Sequence, residues 1–236
     1  YFGSEIKSLA KLSGRWPKIN KKQLLRYLIN GYKSLYKSDD TFFEEVQELK
    51  SGHCMVINSK EGYKTYKYWS PKNLINNDIS YSEIIEKTRN ILINSVKIRL
   101  RSDVPLAFCM SGGIDSNSLI SIAKNILGYE VHGFTVKNQD ERYEESNFVD
   151  IAVENLKIKH DYIKIEKNNF LENLKKLIKA HDSPIYTLTY FLHWQLMQKI
   201  SMAGYKVCIS GTGADELFTG YYDHHNFYLA DIKEDQ

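Results

Sequence analysis

The chain has 236 residues, 42% of them hydrophobic and 26% charged, with 32 basic against 29 acidic side chains and a formal net charge of +3. These are globular values that exclude a disordered chain or a coiled coil, and the near balance of charge gives no reason to expect a nucleic acid or an anionic membrane as partner. No apolar run approaches the roughly 18 residues of a membrane span, and Tyr1-Phe2-Gly3-Ser4-Glu5 has neither the basic nor the apolar region of a signal peptide. The start lacks Met and reads as a trimmed or fragmentary chain. The three cysteines, Cys54, Cys109 and Cys208, are dispersed and form no C-x-x-C pair, which excludes a disulfide framework and a zinc knuckle. Cys109 and Cys208 lie in apolar runs and read as small buried hydrophobes, and a reducing cytoplasm is the default compartment.

In chain order, residues 21–32 carry Leu24, Leu25, Leu28 and Ile29 on one helical face. Residues 53–58 and 63–69 read as strands of a hairpin turning at Glu61-Gly62. Residues 71–79, with Pro71 and several Asn and Asp, read as a linker. Ser80-Tyr81-Ser82-Glu83 fits a capping box, so a helix follows with Ile84, Thr88, Ile91 and Ser95 at helical spacing. Residues 104–110 form a strand, then come a Gly-rich turn and a helix over 117–127. Strands are expected over 131–136, 162–165 and 206–210, and helices over 143–156, 169–181 and 188–203. Continuous apolar strands alternating with helices predict an α/β fold, a parallel sheet with helices on both faces. Such sheets bind ligands beyond the carboxyl ends of their strands, and both Gly-containing turns sit there.

The first turn is Ser111-Gly112-Gly113-Ile114-Asp115-Ser116. Its glycines let backbone approach an oxyanion, its serines offer hydroxyls, and the helix start that follows favours negative charge. Asp115 beside a phosphate requires a divalent cation between them, and Mg²⁺ is the usual one. The turn is not a Walker A loop, because no Lys follows a second Gly at that spacing. The motif resembles the pyrophosphate loop of the ATP-pyrophosphatases, the adenine nucleotide alpha-hydrolase-like fold.

The second turn narrows the resemblance. The run from Ser210-Gly211-Thr212-Gly213-Ala214-Asp215-Glu216 to Leu217-Phe218-Thr219-Gly220-Tyr221 is similar to a segment of the asparagine synthetase family. Glu144-Glu145-Ser146, His160 and Pro184 fall where that family has similar residues. The opening Tyr1-Phe2 and the run around Leu49-Lys50-Ser51-Gly52-His53 resemble the end of its N-terminal-nucleophile glutaminase domain. The resemblance implies a small α+β glutaminase remnant over 1–70, a linker over 71–79 and a truncated synthetase domain over 80–236.

It also implies an activity. ATP adenylates a carboxylate, ammonia released from glutamine displaces AMP, and an amide results. ATP and Mg²⁺ are the implied cofactors. The implied partners are a small-molecule carboxylate acceptor, glutamine or ammonia in the full-length enzyme, and a second copy in a homodimer. Met110, Ser111, Gly112, Gly113, Asp115, Ser116, Val136, Ser210 and Gly211 would contact nucleotide, with Asp115 and Asp215 as Mg²⁺ ligands. Met110 and Val136 would do so mainly through backbone; their side chains are either contacts or core. Glu216 is either a support for the metal site or a helix N-terminal charge.

Three departures follow. The N-terminal catalytic Cys is absent, so this chain is expected not to hydrolyse glutamine. The family's Lys-bearing later helical part is absent too. Thr212 stands where asparagine synthetases proper usually have Glu, which leaves the catalytic residues unknown and points to an acceptor other than aspartate, as in sugar or natural-product pathways. A non-catalytic nucleotide-binding module and a tRNA-modifying pyrophosphatase are the alternatives; the latter calls for a basic stripe and paired cysteines. His224-His225 reads as a loop or helix start rather than a metal site. Tyr186, Tyr190, Phe191 and Trp194 read as packing residues before acceptor contacts.

Overall fold

The computed structural model describes residues 1–72, 78–137, 140, 144–165 and 168–234. In chain order these form α1 (Ile6–Ser13), α2 (Lys21–Asn30), a 3₁₀ turn (Tyr32–Lys37), β1 (His53–Asn58), β2 (Gly62–Lys67), α3 (Tyr81–Arg99) and β3 (Leu106–Cys109). Next come α4 (Ile114–Ser121), which runs into a π-helical turn (Ile122–Ile126), β4 (His132–Lys137), α5 (Ser146–Leu156) and β5 (Lys159–Lys164). The remaining elements are α6 (Phe170–His181), α7 (Thr189–Met202), β6 (Val207–Ile209), α8 (Ala214–Phe218) and α9 (Tyr222–Glu234). Two compact units result, one of residues 1–78 and 169–191, the other of 79–168 and 192–236.

In the first unit, β1 and β2 pair antiparallel from His53↔Lys67 to Asn58↔Gly62, the hairpin the sequence predicts. Asn20 caps α2 by accepting the Gln23 N–H at 3.1 Å. Residues 169–191 cluster here for definable reasons. Asp182 accepts the Lys7 N–H at 2.8 Å, and Tyr27 donates its hydroxyl to Ile185 C=O at 2.6 Å. Tyr186 stacks on Tyr32, and Phe170 meets Phe191 edge-on. Tyr186, Tyr190 and Phe191 of the aromatic stretch thus pack within the unit.

The second unit is built on a four-stranded parallel sheet in the order β5-β4-β3-β6. Side chains of β3 alternate between its faces. Leu106, Phe108 and then Met110 join Val96 of α3, Ile120 of α4 and Val149 of α5 in one cluster. Ala107 joins Phe134, Ile163 and, from α7, Leu196 and Ile200 on the other. Both faces are therefore covered by helices, as a parallel sheet requires. The capping box forms: Glu83 N–H donates to Ser80 Oγ, and Ser80 N–H donates to Glu83 Oε2 at 2.9 Å. The Ser80 hydroxyl, which donates to Glu83 Oε2 at 2.7 Å, and then the Ser80 N–H hold the Glu83 carboxyl below its usual range.

Several boundaries differ from expectation. The helix after β3 starts at Ile114, three residues before Asn117, so Asp115 lies in its first turn. The third strand of the sheet is Lys159–Lys164, earlier than the expected 162–165. It is an end strand of the sheet and half-solvated, so it carries Lys159, His160 and Asp161 in place of an apolar run. Helix α5 starts at Ser146; Tyr143 and linker residues 73–77 lie outside the described residues. His224 and His225 fall in the first turn of α9. Cys109 and Cys208 are half-buried rather than buried, and their sulfurs face each other at 3.3 Å from neighbouring strands.

Candidate functional site

Strand β3 is central, and the chain leaves it to add β4 and then β5 on one side. It then returns to add β6 on the other. The carboxyl ends of β3 and β6 thus flank the point where strand order reverses, where open α/β sheets form a ligand crevice. Residues 111–116 follow β3 and residues 210–215 follow β6.

The first turn is tightly organised. Gly113 N–H donates to Ser111 Oγ at 3.2 Å, and the Ser111 and Ser116 hydroxyls are 2.9 Å apart. Ser111 N–H donates to Ser116 Oγ at 3.2 Å. Asn117 donates its side-chain amide to the carbonyls of Ser111 at 2.9 Å and Gly113 at 2.8 Å, while its buried Oδ1 has no protein donor. Gly112 N–H donates to Glu145 Oε2 at 2.8 Å. A Cβ on Gly112 would come within 2.8 Å of Glu145 Cβ and 3.2 Å of Phe148 Cβ, so only glycine lets the turn lie against the start of α5.

The second turn reaches the first. A Cβ on Gly211 would stand 3.0 Å from Ser116 N and 3.3 Å from both Asp115 C and Asp115 Cβ. The backbone after β6 therefore rests on the first turn of α4, and Gly211 is what permits it. Ser210 and Thr212 pair their hydroxyls at 2.7 Å, and Thr212 N–H donates to Ser210 Oγ at 3.2 Å. Asp215 lies in the first turn of α8, its carboxylate against Gly220 where any side chain would collide. Tyr221 donates its hydroxyl to Glu216 Oε1 at 2.7 Å, which holds that carboxyl below its usual range.

Ser111, Gly112, Gly113, Asp115, Ser116 and Gly211 thus come together, with Ser210 and Thr212 adjoining. Met110 and Val136 differ: Met110 is buried in the cluster beneath α4, and Val136 packs on the opposite face of the sheet. The Met110 side chain belongs to the core, and that of Val136 is half-buried. Asn117 and Glu145 were not singled out as site residues from sequence. Asn117 stands one residue past the motif, and Glu145 lies 33 residues from Gly112, so spacing gave no signal. Hard oxygen donors with exposed hydroxyls and amides suit phosphate and Mg²⁺. Among the described residues no group of three or more His, Cys, Asp or Glu side chains stands ready for a metal, and no helix is long and apolar enough to cross a membrane.

The asparagine synthase family profile matches residues 87–234, and a glutamine amidotransferase domain profile matches residues 1–69. A putative asparagine synthetase (glutamine-hydrolyzing) 2 of Methanocaldococcus jannaschii is 26% identical over 235 residues, covering 98% of this chain and 44% of that protein. Asparagine synthetase (glutamine-hydrolyzing) 1 of Bacillus subtilis is 28% identical over 236 residues, covering 94% of this chain and 34% of that protein. Amidase chyE of Penicillium rubens is 29% identical over 198 residues, covering 77% of this chain and 30% of that protein. The chain spans less than half the length of these relatives.

Proposed function

From the premise that this chain belongs to the asparagine synthase family, we propose that it carries the ATP site of an amide-forming ligase. The observation that supports this most is the contact of the two Gly-containing turns, Gly211 against Asp115 and Ser116, at the strand-order reversal. In this reading Ser111, Gly112, Gly113 and Ser116 hold the β- and γ-phosphates. Ser210, Gly211 and the backbones of Met110 and Val136 lie along the nucleotide. Residues 1–70 are a glutaminase-type remnant, 71–79 a linker and 80–236 the synthetase part.

The reaction is adenylation followed by amidation. A carboxylate oxygen attacks the α-phosphorus of ATP, and the bond to pyrophosphate breaks. Ammonia, released from glutamine in the longer protein, then attacks the acyl carbon; AMP leaves and a proton is lost. A free carboxylate is a poor electrophile, and AMP supplies the leaving group. Asp115 and Asp215 would hold Mg²⁺, which when bound neutralises charge on the departing pyrophosphate. The start of α4 favours negative charge through its dipole.

The acceptor is a carboxylate other than free aspartate. Thr212 has no charge, and its hydroxyl is already paired with Ser210. It cannot hold an ammonium by charge-assisted bonding as a Glu would. The test is pyrophosphate release by the full-length protein over a panel of carboxylates, with ammonia supplied. Saturable turnover of a non-aspartate carboxylate is expected. Aspartate outrunning the whole panel, with asparagine formed, would refute the acceptor assignment; no pyrophosphate release with any acceptor would refute the ligase itself.

A further inference from the structure

Three strands contribute to one hydrogen-bonded chain beneath the first turn. Met110 is the last residue before Ser111, and its N–H donates to Phe134 C=O at 2.9 Å. Its own C=O meets a side chain, Thr135 Oγ1, at 2.9 Å, and both residues are buried. Thr135 Oγ1 in turn lies 2.8 Å from His160 Nε2 on the next strand. Gly133 makes room: a Cβ there would come within 3.2 Å of His160 Cδ2 and 3.3 Å of Met110 Sδ.

The directions of these bonds follow from chemistry. A carbonyl oxygen only accepts, so the single hydroxyl proton of Thr135 goes to Met110 C=O. The Thr135 oxygen then has only lone pairs to offer, and His160 must present a proton on Nε2. Burial, partly offset by Asp161 and Asp150, pushes the His160 imidazole below its usual range, which favours the neutral ring; the bond to Thr135 is what selects Nε2 as the protonated nitrogen. The chain continues through the peptide. A trans peptide is planar, so fixing Met110 C=O fixes Ser111 N–H pointing the opposite way. That N–H donates to Ser116 Oγ at 3.2 Å, and Ser116 Oγ meets Ser111 Oγ at 2.9 Å.

We infer that His160 and Thr135 are positioning residues for the anion loop, acting through the Met110–Ser111 peptide to orient the Ser116 hydroxyl. The inference rests on the phosphate role proposed above for Ser116. Each bond in such a chain polarises the next, so removing an early member weakens the last. It predicts that Thr135 matters to the site although helix α4 and its π-helical turn separate it from the turn in sequence.

The experiment titrates Mg²⁺ with inorganic pyrophosphate into this chain by calorimetry, in a double-mutant cycle. Thr135→Val keeps the shape and removes the hydroxyl, and should weaken binding about fivefold, the worth of one net hydrogen bond. Thr135→Ser and His160→Gln keep donors and should stay within about twofold of the parent. In a Ser116→Ala background, Thr135→Val should cause no further loss, because the group it acts through is gone. Two-bond ¹⁵N NMR should show His160 protonated on Nε2. Equal loss from Thr135→Val with and without the Ser116 hydroxyl, undiminished binding, or His160 protonated on Nδ1 alone would each overturn the inference. If Thr135→Val does not fold, a His160→Gln or Thr135→Ser variant that loses binding as fully as Ser116→Ala overturns it as well. Failure of the parent chain to bind pyrophosphate would instead strike the nucleotide site itself, and this inference with it.

Discussion

The β1–β2 hairpin and the β3–β6 sheet are written in similar residues and end in opposite environments. Met55, Val56 and Ile57 run consecutively along β1 and are all exposed. Leu106, Ala107 and Phe108 run consecutively along β3 and are all nearly inaccessible. The difference is cover. Helices α3, α4 and α5 close one face of the parallel sheet and α7 the other, while the two-stranded hairpin lies open. Two strands alone are marginal, and a parallel sheet with both faces packed is not. The site inherits this rigidity, because its two turns leave adjacent strands of the covered sheet.

The strongest way to break the comparison is to cut the same kind of side chain from each region. Phe108→Ala should cost about 3–5 kcal/mol, by loss of burial plus the cavity left. Val56→Ala should cost less than about 0.5 kcal/mol, as exposed positions usually do. Guanidinium denaturation followed by circular dichroism measures both, and comparable losses would erase the distinction. Gly112→Ala comes next. The added methyl would press on Glu145 and Phe148, at about 1–3 kcal/mol of overpacking. Pyrophosphate affinity should fall more than tenfold in the same variant, an order-of-magnitude effect of misplaced donors.

A third substitution separates the two ends of the sheet. His132, at the start of β4, is buried and bonded to Tyr205 Oη at 2.9 Å and Asp161 Oδ2 at 2.8 Å. His132→Leu should cost about 1–3 kcal/mol through the unmatched polar partners. It should leave pyrophosphate affinity unchanged, because the turns lie at the opposite strand ends. Altered affinity at full stability would contradict that separation.

How much of this was legible in sequence depended on the reach of each interaction. Ser80 and Glu83 are three residues apart, so their capping box could be read directly. Ser111 to Ser116 could be read as a turn because glycines, hydroxyls and flanking strand and helix are all local. The contact of Gly211 with Asp115, the bond from Gly112 to Glu145, and the chain from His160 to Met110 join distant segments, and no spacing rule announces them. Strand β5 was misplaced because His160 and Asp161 look like loop residues until their bonds to Thr135 and His132 are known. Helix α9 gave little signal, since Phe227, Tyr228, Leu229 and Ile232 are all exposed and show no buried stripe.

The smallest expected effect is at the start of α3. The bonds from Ser80 hold the Glu83 carboxyl below its ordinary 4.5, so the folded state favours the charged form. That contribution is fully present above pH 4.5 and disappears as pH falls through the lowered folded value. Glu83→Gln should therefore slightly flatten the acid limb of a thermal-melt pH series. An unchanged limb would show that the box adds nothing at acid pH.

The central claim is that the turns after β3 and β6 form one nucleotide site. Calorimetric titration of ATP with Mg²⁺ into this chain and into its Asp115→Ala variant tests it most directly. The account predicts saturable one-to-one binding by the parent chain and a loss of about tenfold or more in the variant, the scale of a lost charge-assisted contact. Equal binding by both proteins, or none by the parent chain, would contradict it.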